Sequence, residues 1–116
     1  MKRLNSWLAG GVAALALIGA TTVAIGETVT QAQIEAATTA AQHEAIAQSY
    51  EQEAAASEKK ADGHAKMAKT YRLGPNKTSG ASMANHCKRL EKNFRSAARE
   101  YRMLAKEHHE MAAAAR

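Results

Sequence analysis

Cys87 is the only cysteine in the chain, and it stands beside His86 in a stretch that also holds His64, Met67 and Met83. Thiolate, imidazole and thioether are the donors that select Cu(I). A fold-back between Met67 and Met83 therefore makes His64, Met67, Met83, His86 and Cys87 a candidate copper-type site. His43, His108, His109 and Met111 form a second candidate cluster at the far end of the same fold-back. Neither cluster contains a short chelating motif, and His and Met on a helix face serve more often as core or rim residues. Cys87 alone has three uses: a small buried hydrophobe, a metal ligand, or a disulfide joining two copies of the chain.

Other chemistry finds no footing. Cys-x-x-Cys zinc sites, Cys-x-x-Cys-His haem attachment, His-Glu-x-x-His and paired Glu-x-x-His motifs are all absent, and the seven glycines form no phosphate loop. One loop, around Pro75 to Ser79, cannot build the water-excluding cleft that an oriented nucleophile and base require. The chain is expected not to be an enzyme.

The elements that must position these residues are helices. Glu27 to Leu73 has no proline and is dominated by Ala, Gln, Glu and Lys, which are good helix formers. Thr28 and Gln31 have the spacing of a capping box. Gly74 suits a left-handed position after the helix, and Pro75 cannot continue it. Ser79 or Ser82 can cap a second helix that then runs unbroken to Ala115. The expected fold is all-α: an antiparallel, coiled-coil-like hairpin with helices at about 28–73 and 80–115 joined by a loop at 74–79. Asp62-Gly63 is the one place where the first helix is expected to kink.

Heptad spacing supports this arrangement. Met83, Cys87, Leu90, Phe94, Ala97, Tyr101, Leu104, His108 and Met111 form a stripe on the second helix, flanked by Ala84, Ala98, Ala105 and Ala112. His43, Ala47, Tyr50, Ala54, Ser57, Ala61, His64, Ala68 and Tyr71 form a thinner stripe on the first. The antiparallel register expected from the turn sets His43 against His108, Tyr50 against Tyr101, Ser57 against Phe94 and His64 against Cys87. Cys87, Tyr50, Leu90, Phe94, Tyr101 and Leu104 are the candidate interface residues for self-association into a dimeric four-helix bundle.

Composition says why such company is expected. The chain has 116 residues, 46% of them hydrophobic but only 4% aromatic, and 28 are alanine. Few large apolar side chains remain beyond residue 26, so a lone hairpin has little core. Residues 1–26 read as a signal peptide: Lys2 and Arg3 precede an uncharged run from Trp7 to Gly26, with small residues near its end. That run also approaches membrane-spanning length, so an uncleaved inner-membrane anchor at residues 7–26 is the competing reading. Either way residues 27–116 are expected to be exported, periplasmic or secreted.

Net charge is +5, from 16 basic and 11 acidic residues, and it is unevenly spread. Residues 27–58 hold six glutamates and no Lys or Arg. Residues 59–92 hold nine basic residues against Asp62 and Glu91. Of these, Lys59, Lys60, Lys66, Lys69, Arg72, Lys77, Lys88 and Arg89 mark a basic tip able to meet an anionic envelope surface or an acidic partner. Nucleic acid is disfavoured by export and by the lack of stacking aromatics there, Tyr71 apart.

From Ala61 to Ala112, and above all in His86-Cys-Lys-Arg-Leu-Glu-Lys-Asn-Phe-Arg-Ser-Ala-Ala-Arg-Glu-Tyr-Arg-Met-Leu-Ala-Lys-Glu-His-His-Glu-Met-Ala112, the chain resembles small exported helical bacterial proteins of uncharacterised function. The resemblance implies export and a helical hairpin and attaches no activity. The first expectation is an envelope binding or structural protein that works by self-association. The second is a periplasmic soft-metal binding or buffering protein that holds copper near the turn.

Overall fold

The computed structural model describes residues 28–75 and 77–116, without the side chains of Lys77 and Thr78. The export segment expected at residues 1–26 lies outside the described residues. Within them the chain is mostly helical and contains no strand: α1 (Gln31–Ala36), α2 (Ala40–Leu73) and α3 (Lys77–Ala114). The two long helices pack against each other along their lengths as an antiparallel hairpin.

Both N-terminal boundaries are set by the same device. Thr30 and Gln33 form a capping box on α1, and Thr39 and Gln42 form another on α2. The Thr39 hydroxyl accepts from the Gln42 N–H at 3.2 Å, while Gln42 Oε1 accepts from the Thr39 N–H at 3.1 Å. These bonds satisfy backbone donors that a continuous helix would have satisfied internally, so the chain breaks at Ala37–Thr39. The single long first helix expected from about residue 28 is corrected accordingly. Thr28, expected as its cap, instead lies near Glu53, with 3.4 Å between its hydroxyl and the carboxylate.

The turn is tighter than expected. Gly74 is extended, at φ −70° and ψ 166°, rather than left-handed. The residue before a proline is pushed out of the helical region towards this conformation, and Pro75 follows. Because α3 starts at Lys77, Ser79 and Ser82 lie inside it rather than before it. Gly80 is buried against the backbone of Tyr71, where a Cβ would collide with the Tyr71 carbonyl oxygen. At the other suspected weak point, Asp62-Gly63, α2 runs through without interruption.

The seam is lined mostly by alanine. Ala47, Ala54, Ala61 and Ala68 on α2 meet Ala84, Ala98, Ala105 and Ala112 on α3, and none is more than 5% exposed. This corrects the expected α3 stripe. Met83, Leu90, Leu104 and Met111 lie one position to the side and are 37–46% exposed. The physical reason lies on the opposite helix, which offers a column of methyl groups. Two such columns let the backbones approach closely, and longer side chains on the axis between them would hold the helices apart.

Candidate functional site

Register positions the polar residues. Tyr50 stacks on Tyr101 with ring centroids 6.1 Å apart, and His43 lies against His108 at 5.3 Å. Two of the four expected pairs are thus met, and this brings together part of the second candidate cluster; nearer the turn the expectation is corrected, since His64 lies on Phe94 instead of Cys87, and Cys87 packs with Ala68 and Ala84. His43 Nδ1 and His108 Nδ1 are 3.1 Å apart. One must donate its N–H to the lone pair of the other, so the two rings cannot both be protonated there. His108 is buried, and that burial, followed by the charge of His43, lowers its pKa from the ordinary histidine value. Tyr50 closes over the same ring at 5.8 Å.

The next residue is shifted in the opposite direction. His109 Nδ1 lies 2.8 Å from Glu44 and its Nε2 lies 3.0 Å from Glu51. Two carboxylates facing both ring nitrogens favour the imidazolium, and the hydrogen bonds to Glu51 and Glu44 raise its pKa. His109 therefore points away from the His43–His108 pair, and Met111 is exposed. Of this cluster, only two residues converge.

The charged flank of the seam continues towards the turn. Arg95 reaches Glu58 at 2.9 Å, Asp62 at 3.0 Å and Glu91 at 3.1 Å, and Arg102 reaches Glu58 at 3.2 Å. Glu44, Glu51 and Glu58 repeat every seven residues on α2, as Arg95, Arg102 and His109 do on α3. That shared period was the signal for the His109 pairings, which residue type alone did not disclose. Arg95, Glu58 and Glu91 are partly exposed and Asp62 and Arg102 more so, and each ion pair adds modest, salt-sensitive support.

Near the turn, the first candidate cluster is dispersed. Cys87 is 7% exposed and packs with Ala68 and Ala84. A disulfide between two copies through Cys87 would require the hairpin to open at that point. His86 is exposed and its Nδ1 lies 2.7 Å from the Arg89 guanidinium. Met67 and Met83 are also exposed. His64 stacks flat on Phe94 at 5.5 Å, and Lys60 covers Phe94 at 5.6 Å. The His64 Nδ1 atom is buried without a hydrogen-bond partner. Among the described residues, no group of three or more His, Cys, Asp or Glu side chains is placed to hold a metal ion.

The interface candidates divide into two sets. Tyr50, Phe94, Tyr101 and Cys87 are used within the hairpin, whereas Leu90 and Leu104 face outwards. Lys59, Lys60, Lys66, Lys69, Arg72, Lys88 and Arg89 are all exposed around the tip, and the side chain of Lys77 lies outside the description. Depressions beside the seam are open grooves; one is lined by Glu51, Arg102, Lys106 and His109, another by Lys88, Lys92, Arg95 and Arg99. Among the described residues no helix is long and apolar enough to cross a membrane. The chain matches no protein-family model, and neither curated proteins nor solved structures provide a match.

Proposed function

We propose that the chain is an exported, non-enzymatic helical hairpin that self-associates and serves as a binding or structural protein of the cell envelope. The observation that carries this reading is the outward face of α3, where Met83, Leu90, Leu104 and Met111 stand in one heptad-spaced row, each 37–46% exposed. A hairpin whose seam is lined mostly by alanine, with Ile46, Tyr50, Phe94 and Tyr101, leaves the Met and Leu side chains of this row for another surface. Export is supported by the composition of residues 1–26, and the basic tip supplies attraction to anionic envelope material.

The soft-metal alternative draws on the unpaired His64 Nδ1 but lacks a convergent donor set, since Met67, Met83 and His86 are open to solvent. The test is sedimentation of natively exported protein over a wide concentration range, with elemental analysis of the same sample. The reading expects a dimer or larger assembly free of stoichiometric metal. A monomer at every concentration overturns it, and a monomer carrying one copper per chain establishes the alternative.

A further inference from the structure

We propose that the outward face of α3 docks a second copy of the chain antiparallel, about a two-fold axis passing beside Ala97. This rests on the self-association reading and specifies its geometry. The row Met83, Leu90, Ala97, Leu104, Met111 has a strict seven-residue spacing and reads the same in both directions. A two-fold contact requires that when residue i of one copy meets j of the other, j also meets i. Centred on Ala97, this rule sets Met83 against Met111, Leu90 against Leu104, and Ala97 against itself. The position that must meet its own copy on the axis is the smallest of the five, which allows close approach there. The large side chains fall to either side.

A parallel pairing would match the same apolar residues, and charge decides between the two. The turn end of the hairpin, residues 59–92, is net +7, from nine basic residues against two acidic. The rest of the exported part is net −4: residues 27–58 contribute six glutamates, and residues 93–116 add five basic residues against three acidic. Parallel docking lays one basic tip on the other, whereas antiparallel docking lays each basic tip beside the acidic end of the second copy. Along the outer edge of the row, Glu100 and Glu107 would face themselves in a parallel pair. In the antiparallel pair the same edge brings Glu107 within one residue of the level of His86 of the second copy, and Glu100 within one residue of its Asn93. Like charges held together in an interface cost affinity, and opposite ones fix orientation.

The experiment uses disulfide trapping in the full exported chain with Cys87→Ala as background. Leu90→Cys, Leu104→Cys and Ala97→Cys are made singly, one of each pair carrying a mass tag, and oxidised mildly. These positions are exposed or at the seam edge, and retained helical content by circular dichroism verifies folding. Ala97→Cys should cross-link with itself. The mixture of Leu90→Cys and Leu104→Cys should give about tenfold more of the mixed dimer than Leu90→Cys alone gives of its own, because only the mixed pair comes within disulfide reach. Efficient self-cross-linking of Leu90→Cys overturns the antiparallel arrangement in favour of a parallel one. A dimer by sedimentation that traps neither Ala97→Cys nor the mixed pair overturns the proposed face while self-association stands. A monomer by sedimentation overturns both.

Discussion

Two glycines within the long helices should respond in opposite ways to the same substitution. Replacing glycine by alanine inside a helix gains about 1 kcal/mol, much of it by restricting the unfolded chain. At Gly63 an added Cβ meets nothing within 4 Å, so the gain should be realised in full. For a domain of this size that corresponds to a rise in Tm of about 4–8 °C. At Gly80 the Cβ collides with the Tyr71 carbonyl oxygen and comes within 3.5 Å of the Tyr71 carbonyl carbon. Backbone cannot rotate aside as a side chain does, so α3 must retreat by about 1 Å to restore ordinary contact. That retreat loosens Ala84 and Cys87 against Ala68, the packed layer next to the turn. Overpacking of this kind costs about 1–3 kcal/mol, which exceeds the propensity gain. Gly80→Ala should therefore lower Tm by several degrees while Gly63→Ala raises it. Thermal melts followed by circular dichroism at one fixed protein concentration read both, a precaution because Tm depends on concentration wherever a protein associates. A Gly80→Ala protein as stable as the parent would refute the close approach at the turn.

The two histidines at the open end of the hairpin should respond to pH in opposite directions. His108 has a lowered folded pKa, so its contribution is present above the unfolded value of about 6.5 and is lost as pH falls, and His108→Gln should flatten that limb of a urea-stability profile. His109 has a raised folded pKa, so its contribution is complete at low pH and is lost as pH rises through the folded value; His109→Gln should remove that loss. Buried Cys87 should react with a thiol reagent at least about tenfold more slowly in the folded protein than in urea, and non-reducing electrophoresis of freshly isolated protein should show no Cys87 dimer. Thr39→Ala removes both partners' geometry from the α2 capping box and should cost about 1 kcal/mol in chemical denaturation, without dissociating α3 from the rest of α2.

The hairpin and its register were legible because turn chemistry and heptad spacing agree. Pro75 ends one helix, and His43, Tyr50, Tyr101 and His108 fall at matching distances from it. The seam itself was harder to read. On α3 two adjacent columns share the same period, one of Met and Leu and one of Ala, and hydrophobicity alone favours the first. What decides is the opposite helix, whose alanines reward close approach, a property of the pair that neither helix carries by itself. The start of α2 was hidden for a related reason. Thr28-Gln31, Thr30-Gln33 and Thr39-Gln42 are all Thr-x-x-Gln sequences, and only the folded chain selects the latter two as caps. The copper-type cluster near the turn was assembled from donor types. The same register that sets His43 on His108 turns His86, Met67 and Met83 to solvent, because helical direction and not residue chemistry decides where each points.

The alanine columns also have a mechanical consequence. Their seven-residue period is matched by the glutamates of α2 and by Arg95, Arg102 and His109 of α3, so methyls and charges alike recur every 10.5 Å or so along the axis. Slid by one heptad, methyl would again meet methyl except where Glu91 interrupts the α3 column, and Glu51 and Glu58 would again find cationic partners. The seam is thus a rack with one tooth missing, at Glu91, and its alanines by themselves fix its position only weakly. The pins are the three-residue connection between Leu73 and Lys77 and the unrepeated aromatic pairs of Tyr50 with Tyr101 and His43 with His108. A load that drags the two helices past one another would meet a series of notches rather than a single rupture, with the pins setting where the series begins.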